Sequence, residues 1–80
     1  MSTTEEQIRT LLVEKLRVKP EALASDVTFE DLSFDSLVLI ELSLLLEKRF
    51  GVRLAEGELT GEHTIAGAAE LVELKEAAVR

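Results

Sequence analysis

Three kinds of side chain in this sequence could do more than pack: a serine set as Asp35-Ser36-Leu37, a single histidine at position 63, and sixteen carboxylates. A serine at the start of a helix offers its hydroxyl beside backbone amides that have no partner within the helix, and a phosphate ester is welcome there. The same residues also read as plain helix caps, because Asp and Ser favour helix starts anyway, and the tripeptide alone leaves both readings open. Catalysis by Ser36 would need a base within hydrogen-bond reach and donors for an oxyanion. The chain has one imidazole, and no Gly-rich turn surrounds the serine. Ser36 makes more sense as an attachment point than as an attacking group. His63, in a polar stretch, reads as a solvated residue or a local hydrogen-bond donor. Most of the carboxylates belong to solvated helix faces.

Composition narrows the partners. Eighty residues allow one small domain, spanning 1–80. Nine Lys and Arg against sixteen Asp and Glu leave a net charge of −7, which argues against nucleic acid and against an anionic membrane surface. The same balance favours partners that present basic patches. With no Cys there is no disulfide, no thiolate metal site and no protein thiol nucleophile, and one His leaves nothing for a His-rich metal site. Aromatic residues are only 4%, with no Trp or Tyr, so platforms for stacking bases are missing. The longest apolar run, 37–46, is short and interrupted by Glu41 and Ser43, so it does not span a bilayer. Residues 1–6 lack a basic region followed by an apolar stretch, which leads to the expectation of a cytoplasmic protein.

The elements that must position Ser36 are helical. A first helix is expected over 3–17, with Thr3 and Glu6 at capping-box spacing and Ile8, Leu11, Leu12 and Leu16 on one stripe. Pro20 stops it, and 21–23 reads as one short turn. No period is sustained over 24–34, which reads as a long ordered loop pinned by Val27, Phe29 and Leu32. A second helix is expected over 36–50, with Asp35 as N-cap and Gly51 as C-terminal stop. Around it, Leu39, Leu42, Ser43, Leu46 and Phe50 share one face, and Leu37, Ile40, Leu44 and Lys48 the opposite one, with Val38 and Leu45 on a flank. The stretch 55–61 reads as a connection with a helical turn near 56–59. A last helix is expected over 65–79 after Thr64, with Ile65, Ala68, Ala69 and Val72 turned inward. The fold class is all-α: three main helices plus a short helical turn, with a long loop between the first two helices.

A central helix that is apolar nearly all round cannot be covered completely by eighty residues. Leu37, Val38, Ile40, Leu44 and Leu45, bordered by Glu41 and Glu47, therefore either complete the core on a second side or form an exposed docking strip with a charged rim.

Taken together, Phe29-Glu30-Asp31-Leu32-Ser33-Phe34-Asp35-Ser36-Leu37, then Ile40-Glu41-Leu42, then Leu46-Glu47-Lys48-Arg49-Phe50-Gly51-Val52, resemble the acyl carrier protein family. The likeness runs over essentially the whole chain and includes Val18-Lys19-Pro20-Glu21 and Thr64-Ile65. It implies that Ser36, between Asp35 and Leu37, is esterified by 4′-phosphopantetheine, delivered from coenzyme A by a phosphopantetheinyl transferase. The terminal thiol of that arm would carry acyl groups as thioesters, which suits a chain without Cys. The protein itself would not be an enzyme. The resemblance also implies that Asp35, Leu37, Ile40, Glu41, Leu44 and Glu47 face partner enzymes such as a ketosynthase and an acyltransferase, with acidic groups steering toward Lys and Arg. Nothing in the sequence demands more than a monomer.

Four positions depart from the usual pattern. Ser33 stands where Gly is common, and with a positive φ there Ser would cost on the order of 1 kcal/mol. Val38 stands where many fatty-acid carriers have an acid, and Lys48-Arg49 breaks an acidic run. The docking face is greasier and less negative as a result, which points toward a polyketide-type pathway. Leu39, Leu42, Leu46, Ala68, Ala69 and Val72 are expected to meet between the second and last helices. Two Ala opposite several Leu either leave space for an acyl chain or close into solid core. The rival readings are a peptidyl or aminoacyl carrier and an unmodified helical adaptor.

Overall fold

The chain is described here by a computed structural model covering residues 3–24, 26–55 and 57–79. Its elements are α1 (Thr3–Glu14), a 3-10 turn (Pro20–Ala22), α2 (Ser36–Phe50) and α3 (Ile65–Val79), and among the described residues extended pairing is limited to one isolated bridge between Thr28 and Thr64. The all-α expectation holds. α3 packs mainly on α1, with α2 touching both.

The core forms where the helical stripes converge. Ile8 and Leu12 of α1, Leu42 and Leu46 of α2, and Ala68 and Val72 of α3 are each fully shielded from solvent. Phe29 joins them from the long loop, also fully shielded, and stacks on Phe34 with ring centroids 5.5 Å apart and planes 6° from parallel. Leu32 packs against the same core, whereas Val27 is only half-buried. Over 26–34 the loop is thus pinned by two stacked aromatics rather than by regular secondary structure.

α1 ends three residues earlier than its apolar period suggests. Arg17 adopts φ 59, a left-handed conformation that a right-handed helix cannot accommodate. The Val18 amide then reaches back to the Leu12 carbonyl at 3.0 Å. Leu16 still packs on the core from outside the helix, so its place in the stripe was real although its helicity was not. Thr3 is itself helical, so it is not the cap, and residue 2 lies outside the described residues. The expected turn over 21–23 begins one residue earlier, with Pro20 supplying the fixed φ of a first helical position. No helical turn forms among the described residues of 56–59, which make simple turns, and residue 56 lies outside them. At the last helix the Thr64 hydroxyl accepts from the Gly67 amide at 3.0 Å, as an N-cap should.

Candidate functional site

The site is assembled by the eight residues before α2, 28–35. Thr28 and Asp31 cap one another's amides: Thr28 N donates to Asp31 Oδ2 at 3.1 Å, and Asp31 N donates to Thr28 Oγ1 at 3.0 Å. Ser33 N donates to the Glu30 carbonyl at 2.9 Å, and Phe34 N to the Phe29 carbonyl at 3.0 Å. Ser33 sits at φ 63, the backbone where glycine is favoured. This tight reversal is anchored to the entry of α3. Phe29 N donates to the His63 carbonyl at 3.0 Å and Glu30 N to the Gly61 carbonyl at 2.8 Å. Arg9 reaches across from α1 to the Leu23 carbonyl and steadies the start of the same loop.

Asp35 follows in extended conformation, and its Oδ1 accepts from the Val38 amide at 2.9 Å. Its negative charge is spent on capping, at the positive end of the α2 dipole. The Ser36 and Leu37 amides have no acceptor inside the helix, and Ser36 itself is exposed at the first helical position. At the other end, Lys48 and Arg49 sit on the negative pole of the dipole and Gly51 closes α2 at φ 68. Arg49 Nε also donates to Gln7 Oε1 of α1 at 3.2 Å.

One face of α2 is open to solvent: Leu37 is 68%, Ile40 52% and Leu44 58% exposed. Glu41 and Lys48 are exposed beside them. Val38 is half-buried, and Leu45 packs against the core and so leaves the strip to which sequence spacing assigned it. Glu47 is turned to a structural task, its Oε2 accepting from the Leu54 amide at 2.8 Å. Wheel geometry sorts residues by angle, and it does not see a following segment that folds back over a flank.

That following segment creates a feature that periodicity does not signal. An open groove of about 490 Å³ runs from Ser36 along Leu39, Ile40, Ser43, Leu44 and Glu47 of α2, walled opposite by Leu54, Ala55, Gly57 and Leu59. Leu54 and Leu59 are five apart, a spacing that fits neither helix nor strand, so nothing in the pattern marked them as a wall. Of the six residues expected around an acyl cavity, only Leu39 lines this groove. Leu42, Leu46, Ala68, Ala69 and Val72 are buried together in the core. His63 is half-buried, and its Nδ1 accepts from the Thr60 amide at 3.1 Å. It is an acceptor rather than the expected donor, and it orders the turn that Phe29 and Glu30 grip. No group of three or more metal-ligating side chains gathers among the described residues. No helix there is long and apolar enough to cross a membrane.

A small helical bundle with an exposed serine hydroxyl at the start of α2, beside an open apolar groove, has the layout that a carrier domain needs. Residues 6–72 match the family described as "Phosphopantetheine attachment site". Over 71 residues, 88% of this chain and 82% of the relative, it is 42% identical to polyketide-8 synthase acyl carrier protein 2 of Streptomyces avermitilis. Over 76 residues, 94% of this chain and 95% of the relative, it is 32% identical to an acyl carrier protein of Buchnera aphidicola. The chain belongs to the acyl carrier protein family, whose members carry phosphopantetheine and act as carriers rather than catalysts.

Proposed function

We propose that Ser36 bears the phosphopantetheine, transferred from coenzyme A by a phosphopantetheinyl transferase. The observation that carries this reading is the exposed hydroxyl at the first residue of α2, where unpaired amides and the helix dipole favour a phosphodiester. When bound, the arm supplies the thiol that holds acyl groups as thioesters. The chain's own part is to orient the arm. Asp35 fixes the helix start, and the stacked Phe29 and Phe34 hold the loop that leads into it.

Leu37, Ile40 and Leu44 form the apolar centre of the surface offered to a ketosynthase, an acyltransferase and similar acyl-processing enzymes, with Glu41 and Lys48 at its edge. Such a mixed surface gives weak, salt-sensitive docking, which suits a cargo that must move on. The greasy face around Val38, the Lys48-Arg49 pair and the Streptomyces relative favour a polyketide-type pathway over housekeeping fatty-acid synthesis. The protein works as a monomer in the cytoplasm. The groove beside Ser36, rather than the buried cluster of Leu42, Leu46, Ala68, Ala69 and Val72, receives the acyl chain, because it is open, largely apolar and begins at the attachment residue.

Incubating the apo protein with coenzyme A and a broad-specificity transferase, then weighing the intact chain, tests the attachment. One added phosphopantetheine, lost in Ser36→Ala, is expected. A folded protein that gains no mass, or a Ser36→Ala variant that still gains it, overturns the assignment.

A further inference from the structure

The wall of the groove opposite α2 is a segment without regular structure among its described residues, so what fastens it decides the shape of the groove. Leu54 and Leu59 sink into the core at 8% and 6% exposure. Between them, two carboxylates hold the backbone. Glu47 on α2 takes the Leu54 amide at 2.8 Å, and Glu58 Oε1 takes the Ala55 amide at 2.7 Å. Glu58 is in turn gripped by Lys75 of α3, whose Nζ lies 2.8 Å from Oε1 and 2.6 Å from Oε2. A single ammonium on α3 thus fixes a segment whose other side faces α2.

Beyond this segment lies a second cleft of about 580 Å³, lined by the charged side chains of Arg53, Glu58 and Lys75. Glu47, Leu54 and Ala55 line both spaces. Residues 54–55 are therefore a partition between an apolar groove that starts at Ser36 and a polar cleft that ends at α3.

We infer that Lys75 is a positioning residue: by holding Glu58 it sets where the partition stands, and so how long an acyl chain the groove shields. The inference rests on the reading that the chain enters the groove. The side chains of Lys75 and Glu58 are 32% and 28% exposed, and ion pairs with that much access to water are weak. The pair can therefore let go while Leu54 and Leu59 stay packed, which frees Ala55 to shift without unfolding the domain. With the ammonium gone, the apolar groove can spread past Ala55 into the space of the polar cleft.

The test uses the phosphopantetheine-loaded protein, wild type, Lys75→Met and Lys75→Arg, each charged with butanoyl, octanoyl or dodecanoyl groups. Met keeps the length of the stem and removes the charge, while Arg keeps the charge. Hydrogen exchange at the Ala55 amide reads the fastening directly. It is expected to quicken about threefold in Lys75→Met, the scale of a partly exposed pair, and to return toward wild type in Lys75→Arg. Thioester hydrolysis reads the shielding: the protection of dodecanoyl relative to butanoyl is expected to rise about threefold in Lys75→Met. Amide shifts of Ser43, Ala55 and Gly57 report whether the chain is in the groove. Should these shift with cargo in wild type while the hydrolysis ratio stays level or drops in Lys75→Met, the role of Lys75 is wrong and the groove reading stands. Amides that ignore chain length in wild type overturn both.

Discussion

Replacing Ser33 by glycine is expected to make the protein more stable. At φ 63 the Cβ of an L-residue crowds the neighbouring carbonyl, at a cost of about 1–2 kcal/mol that glycine avoids. Against that gain, glycine gives the unfolded chain about 0.4–1 kcal/mol of extra conformational freedom. The Ser33 side chain is exposed, so little packing is lost, and the balance favours glycine by about 0.5–1 kcal/mol. A domain of this length is stable by about 4–12 kcal/mol in all, and 1 kcal/mol moves Tm by about 4–8 °C. Ser33→Gly is therefore expected to raise Tm by about 2–8 °C and the urea midpoint with it, at unchanged slope. Ser33→Ala keeps the Cβ and should stay within about 0.5 kcal/mol of wild type. Arg17→Gly, at φ 59, provides an independent arm with the same sign. A Tm for Ser33→Gly equal to or below that of Ser33→Ala would refute the claim that backbone strain is stored in the turn before Ser36.

Other consequences can be checked with simple measurements. Asp35→Ala removes the acceptor of the Val38 amide and should cost about 1 kcal/mol in urea unfolding, and no loss would show that the cap is dispensable. Lys48→Glu should change affinity for a partner ketosynthase at low salt and leave Tm within experimental scatter, because the side chain is exposed at the rim of the docking face. Equal affinities would move Lys48 off that rim. Lys75, with help from the Ala55 amide, holds the Glu58 carboxyl below its ordinary value of 4.5. A carboxyl lowered in the folded state stabilises it fully above the unfolded value, and that contribution fades as pH falls through the lower folded one. The Tm gap between wild type and Glu58→Gln should therefore be present at neutral pH and shrink below about pH 4.5; a gap independent of pH would contradict the coupling.

Much of the helical framework was legible because local chemistry controls it. Asp35 before a run of apolar residues, Gly51 after Phe50 and Thr64 before Ile65 mark helix ends through bonds made within a few residues, and the bounds of α2 and α3 follow them. That some apolar side of α2 would be left exposed was also readable, since eighty residues cannot cover every side of a wholly apolar helix, but that Leu37, Ile40 and Leu44 form it came from the structure. α1 was overextended to Arg17 because the apolar period continues through Leu16 even though the backbone does not. Periodicity reports which side chains seek the core, not the conformation that brings them there.

The candidate site divides along the same line. Sequence alone was enough to place Ser36 at a helix start, name Asp35 as its cap and reach the family, because each depends on residue type at fixed offsets along one stretch of chain. The groove, the recruitment of Glu47 to the Leu54 amide, the acceptor role of His63 and the burial of Leu42, Leu46, Ala68, Ala69 and Val72 in one core cluster were decided only in three dimensions. Those outcomes turn on how segments far apart in the chain fill the space between helices, and contacts of that kind leave no repeat for a sequence to display.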